Sequence, residues 1–282
     1  PDFPLGQRDY SGKFLIQQKL YGREQEIHDL MVAYRRCAHG GKELMLVSGY
    51  SGTGKSALVR EVHKPITESH GYFIEGKFDQ FQRAVPYFAI RKAFEEMTNI
   101  LLTESQSVLD GFRISIQEAV GTEGKVITDV IPQLEKIIGP QPPVPEVGGA
   151  EAQNRFNYVF RKLIHVLASK EHPLVLFIDD LQWADSSSLS LLQVLMTDRD
   201  SKHLLCICAY RDNEVSASHP FVITVGDIRQ EGALINTISL GNLSKENVNE
   251  LIADAVNKTP DQTKELTQLV YQKTSGNAFF VN

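Results

Sequence analysis

Long apolar runs are missing from this 282-residue chain. None approaches the ~20 residues that a bilayer-spanning helix needs, so no membrane partner is expected. Cysteine is scarce: Cys37, Cys206 and Cys208 are the only three. An odd count with no ligand-type cluster excludes a disulfide framework and a cysteine metal site. Reduced, buried thiols in a cytoplasmic protein are the expectation. The C-x-C spacing of Cys206 and Cys208 inside an apolar run puts both on one face of a strand. Long basic runs are absent and the net charge is −6, which argues against a dedicated nucleic-acid surface. The eight histidines show no H-x-x-x-H pair and no Ser–His–Asp logic; His165 reads as packing on its helix. There is no internal repeat and no low-complexity tract. Pro1-Asp2-Phe3-Pro4-Leu5 lacks a Met, a basic region and an apolar region, so it reads as a cut within a longer polypeptide and not as a signal peptide.

What is present is ordinary for a globular protein with a real core: 42% apolar and 23% charged residues, enough for one large or two modest domains. Five short apolar segments read as buried strands: Glu43–Ser48, Gly71–Gly76, Pro173–Ile178, His203–Tyr210 and Leu234–Leu240. Helical patterns alternate with them, over Glu24–His39, from Pro86 through Met97, over Asn154–Ser169 and over Leu189–Met196. This predicts an α/β fold with a five-stranded, mostly parallel sheet flanked by helices. Residues 1–20 read as a linker, 21–241 as the core with a helical insertion over about 98–150, and 242–282 as a small helical lid that is cut short.

The core is organised around Gly49-Tyr50-Ser51-Gly52-Thr53-Gly54-Lys55-Ser56, which fits G-x-x-x-x-G-K-[ST] at every specified position. A strand precedes it and a helix follows, as a phosphate-binding loop requires. The glycines let backbone N–H groups approach an anion, and the helix adds its positive end. Lys55 supplies a charge for the β- and γ-phosphates, and the Ser56 hydroxyl is a Mg²⁺ ligand. Gly49, Ser51, Gly52, Thr53, Gly54, Lys55, Ser56 and Ala57 are the candidate phosphate-binding residues.

A second signal is Asp179-Asp180 at the end of the third apolar strand. Strand ends of such sheets face the ligand crevice. Asp179 is the candidate metal ligand and Asp180 the candidate base for an attacking water; a helix-capping turn is the plainer alternative. Arg211 ends a neighbouring strand, as a γ-phosphate sensor or as a surface ion pair with Asp212 or Glu214. Asp185 reads as an N-cap, Trp183, the one Trp, as packing, and Arg155 as an arginine acting in trans or, the favoured reading, a structural salt bridge. Lys77 and Asp79 fall in the loop after the second strand, also at the ligand-facing edge, with a contact to the metal's water shell or a simple turn cap both open for Asp79.

Together, Leu20-Tyr21-Gly22-Arg23-Glu24, the loop at 49–56, Leu176-Phe177-Ile178-Asp179-Asp180-Leu181-Gln182-Trp183-Ala184-Asp185, Tyr210-Arg211 and Thr274-Ser275-Gly276-Asn277-Ala278-Phe279-Phe280 resemble the signal-transduction ATPases with numerous domains. Gly71 through Gln80 and Pro86-Tyr87 are similar to the ATPase module of multidomain serine/threonine–histidine kinases within that class. The resemblance implies a P-loop NTPase using ATP/ADP with Mg²⁺, with Tyr21, Gly22 and Arg23 beside the adenine and Arg211 as the sensor. It also implies C-terminal helices that close over the nucleotide; position 278 is Ala where family members often carry Pro. The implied function is an ATP-binding, slowly hydrolysing switch with ADP-closed and ATP-open states. Its partners would be covalently attached kinase, sensor or effector domains, with nucleotide-dependent self-association. The alternative is a nucleotide-holding scaffold with little or no turnover. A motor acting on nucleic acid fits the acidic charge poorly.

Overall fold

The computed structural model describes residues 19–82 and 85–281; most of the linker read over 1–20 lies outside the described residues. The elements run α1 (Glu24–Ala38), β1 (Lys42–Gly49), α2 (Lys55–Glu61), α3 (His63–Glu68), β2 (Tyr72–Lys77), α4 (Phe88–Leu102), α5 (Gln106–Val120), α6 (Gly124–Val130), α7 (Glu135–Ile138), α8 (Gly149–Leu167), β3 (Leu174–Asp179), α9 (Ser186–Thr197), β4 (Leu204–Tyr210), α10 (Pro220–Gln230) and β5 (Ile235–Leu240). Then come α11 (Lys245–Ala255), α12 (Pro260–Thr274) and α13 (Ala278–Val281). Two compact units result: Gln25–Leu240, and residues 19–24 with 241–281.

In the larger unit the sheet order is β2-β3-β4-β1-β5, and every pairing is parallel. All five strands are those the apolar segments predict. The sheet is wholly and not mostly parallel, because each connection carries a helix that returns the chain to the same end. Both faces are covered, which is why β3 is buried along its whole length. On one face Leu44, Ile74, Leu176, Cys206 and Cys208 join a core with α4, α8, α9 and α10. On the other, Phe73 meets His63 of α3 with ring centroids 4.7 Å apart. The two thiols lie on one face, as their spacing predicts, and burial pushes Cys206 up to about 12 and Cys208 well above the usual range.

The region over 98–150 is helical, and its Ile116, Val120, Ile127 and Ile137 belong to the same core. α3 and α13 have no counterpart in the sequence reading, α9 starts at Ser186, ahead of Leu189, and two larger differences concern α8 and α10. α8 starts at Gly149, ahead of Asn154; residues 149–153 suit a helix yet carry no apolar periodicity to announce one. α10 has no counterpart in that reading, though Pro220 at its first turn and buried Phe221, Val225 and Ile228 carry helical spacing.

Gly76, near the end of β2, shows how closely α4 is laid on the strand. A Cβ there would run into the backbone carbonyl of Ala89 in α4. Gly76→Ala therefore costs about 1–3 kcal/mol by forced displacement of packed backbone, read as a fall in the urea midpoint; an unchanged midpoint would show that α4 moves freely.

The smaller unit is helical. Ser244 caps α11 by accepting from the Asn247 N–H at 3.2 Å. Tyr21 packs with Leu243, Val248, Leu251 and Ile252. Its hydroxyl donates to Asp254 at 2.9 Å, and burial together with that carboxylate raises it to about 12. Among the described residues no helix is long and apolar enough to cross a membrane.

Candidate functional site

In an all-parallel sheet the strand ends line one edge. β1 delivers the glycine-rich loop there and β3 delivers Asp179. β4 lies between them, so the two strand ends are roughly 10 Å apart at the usual strand spacing. The loop and α2 close that gap: Ser56 Oγ donates to Asp179 Oδ2 at 2.7 Å.

The loop conformation depends on its glycines. Gly49 has φ 151°, and a Cβ on it would come 2.5 Å from the Leu240 carbonyl oxygen. Gly52 and Gly54 follow at φ 81° and 93°. Thr53 is buried and its hydroxyl donates to the Tyr50 carbonyl at 2.9 Å. Ser51 in the loop and Ala57 in the first turn of α2 are exposed. Lys55 is buried and its ammonium donates to the carbonyls of Gly49 and Tyr50, both at 2.8 Å. Burial lowers its pKa, with Asp179 pulling the other way.

Around the acids the structure assembles more than the motif names. Asp179 and Asp180 are both buried. Asp180 adopts a left-handed backbone, φ 55°, which turns the chain sharply out of β3. Its N–H donates to Asp179 Oδ1 at 2.9 Å, and its Oδ1 accepts from Gln182 Nε2 at 2.9 Å. Gln182 in turn accepts from the Arg211 N–H at 3.2 Å. Arg211 Nε lies 3.5 Å from Asp180 Oδ1, its Nη1 binds Glu214 Oε1 at 2.7 Å, and its guanidinium lies over the Trp183 ring at 5.0 Å. Arg211 thus makes the local ion pair with Glu214 that the sequence offers and also faces Asp180.

Lys77 is the main residue missing from the sequence-based site. It is not in a loop but closes β2, in register with Asp179 on β3. Its ammonium is 2.8 Å from Asp180 Oδ2 and 3.4 Å from Asp179 Oδ2. Burial works against its charge, yet the Asp180 hydrogen bond and both carboxylates prevail and raise its pKa. Gln182 was also missed. The sequence puts Lys77 at the ligand-facing edge, but strand register sets it against the acids, and the turn at Asp180 brings Gln182 there.

Other candidates resolve into structural roles. Asp185 caps α9, accepting from the Ser188 N–H at 2.9 Å, and also takes the Tyr87 N–H at 3.2 Å. Asp79 caps its own turn by accepting from the Phe81 N–H at 2.9 Å. Arg155 pairs with Glu123. His165 does more than pack: its Nε2 is 2.6 Å from Asp198 and 3.1 Å from Ser201. One ring nitrogen serves both neighbours, so these three form no relay. Tyr21, Gly22 and Arg23 belong to the smaller unit, where Arg23 donates to the Gly241 carbonyl at 2.5 Å.

The donor set suits magnesium. Ser56 and Asp179 are hard oxygen donors. Among the described residues no group of three or more His, Cys, Asp or Glu could cage a metal. In general Mg²⁺ needs only one or two protein oxygens, with water and phosphate completing its shell.

Comparison with known proteins fits this geometry. The AAA ATPase domain family matches residues 19–207. Hybrid signal transduction histidine kinase G of Dictyostelium discoideum is 31% identical across 99% of this chain, and the chain spans 10% of that protein's length. Cdc6p from Pyrobaculum aerophilum superposes with a TM-score of 0.54 at 14% identity, over 95% of this chain and 60% of that one. The ORC2 protein of Aeropyrum pernix, in ADPNP–ADP complexes, gives 0.50 at 12% identity, over 97% and 63%. At these identities the two structures share the fold.

Proposed function

The chain belongs to the AAA ATPase domain family, and from that premise we propose that it is an ATP-binding, slowly hydrolysing switch within a larger signal-transduction protein. One observation carries the reading: the P-loop hydroxyl of Ser56 and the strand-end carboxylate of Asp179 meet at 2.7 Å, with the second acid, Asp180, on the next residue. In this reading Ser56 and Asp179 hold Mg²⁺, and the backbone of Gly49–Ala57 with Lys55 cradles the phosphates. The bound ion would offset phosphate charge. Asp180 accepts the proton of the attacking water, and Gln182 keeps its carboxylate oriented. Arg211 stabilises charge developing on the γ-phosphate. The kinase relative supports an origin among signalling proteins with attached kinase, sensor or effector domains. Exchange of ATP for ADP would then bias closed against open states and self-association.

The test is nucleotide content and turnover of the purified chain. Denaturation and chromatography should release ADP, and phosphate release with Mg²⁺ and added ATP should be slow. Bound nucleotide with no turnover would leave the scaffold, and a protein that neither holds nor cleaves ATP would overturn both readings.

A further inference from the structure

Asp179 and Asp180 place two carboxylates side by side with only 5% and 4% of their surface exposed. Adjacent buried anions need positive charge close by. Lys55 does not supply it directly, since its ammonium is engaged with the carbonyls of Gly49 and Tyr50. Arg211 is shared between Asp180 Oδ1, at 3.5 Å, and Glu214, at 2.7 Å. Among the described residues, the cation within ion-pair distance of Asp179 is Lys77.

Its position is specific. Lys77 is 3.4 Å from Asp179 Oδ2, the same oxygen that accepts the Ser56 hydroxyl at 2.7 Å. That oxygen and that hydroxyl are the donors assigned to the divalent ion. Lys77 also spans to Asp180 Oδ2 at 2.8 Å, so one ammonium neutralises both acids. Parallel register with Asp179 holds the lysine at this height on the edge strand β2. Yet its side chain is 61% exposed, so it can swing into water at little cost, as buried Lys55 cannot.

The geometry points to Lys77 as a built-in competitor of the divalent cation, neutralising Asp179 and Asp180 until the metal arrives and leaving when it binds. The inference rests on the metal site proposed above. A divalent ion and an ammonium sharing one carboxylate oxygen repel strongly at that range, so Lys77 raises the concentration at which free metal occupies the site. A metal entering with a polyphosphate overcomes this more easily, because the phosphates offset the added positive charge. Lys77 thereby favours arrival of metal and nucleotide together. Its role is positioning and selection; no step of bond cleavage is assigned to it.

The experiment uses Mn²⁺ as the probe, with free Mn²⁺ read from its solution EPR signal, on the whole chain freed of bound nucleotide. Lys77→Met should bind Mn²⁺ about five- to tenfold more tightly than the unaltered protein, on the size of one nearby like charge at an exposed site. Lys77→Arg, which keeps the charge, should stay within about twofold of the unaltered protein. Asp179→Asn should weaken Mn²⁺ binding. If Lys77→Met binds no tighter while Asp179→Asn weakens, the competitor role is wrong and the metal site stands. If Lys77→Arg tightens as much as Lys77→Met, charge is not the cause and the inference falls. If Asp179→Asn changes nothing, the metal site itself is wrong and this inference goes with it.

Discussion

Lys55→Ala should raise the Kd for Mg–ATP by about 30- to 1,000-fold, the loss of a buried charge-assisted contact worth about 2–4 kcal/mol. The ammonium is enclosed among loop carbonyls of Gly49 and Tyr50, where water screens it poorly. A phosphate oxyanion is a better partner for it than two neutral carbonyls, so binding exchanges weak contacts for strong ones. Titration calorimetry with ATP and with ADP measures the change. Lys55→Met, which keeps most of the stem's packing, should lose the same affinity with a smaller loss of melting temperature, separating charge from shape. Unchanged ATP affinity in both variants would contradict the P-loop assignment.

Asp180→Asn should cut turnover by about 10²-fold or more, the range for a positioned general base, while ATP affinity stays within about threefold. The substitution is isosteric. The amide oxygen can still accept from Gln182 Nε2, which lies 2.9 Å from Oδ1 in the unaltered protein. What is lost is basicity, along with the charge that attracts Lys77 and Arg211. Single-turnover phosphate release with prebound ATP isolates the chemical step. A scaffold that only stores nucleotide would show equal, near-zero release in both proteins.

The two variants probe residues that were readable in different degrees. Lys55 and Ser56 are visible in the sequence because their function needs a local backbone shape, and local shape is written in glycine spacing. The five strands were visible for a similar reason: burial on both faces leaves near-continuous apolar runs. α10 and the first turn of α8 were passed over. α10's spacing was present but weak, and residues 149–153 have none. Asp180 was visible as an acid at a strand end, but not as a residue at φ 55° whose oxygens are gripped by Gln182 and Lys77.

By itself, then, the sequence determined the P-loop, the position of the acids at the end of a buried strand, the α/β class, and the inert placement of the cysteines. Each follows from residues close together in the chain, where sterics, periodicity and capping act. The tertiary structure alone decided that β4 separates the loop strand from the acid strand, that Ser56 nonetheless reaches Asp179, and that Lys77, 102 positions away, stands on the same carboxylate. Those facts depend on strand order and register, which are set by how helices pack across the whole sheet, and no local pattern encodes them.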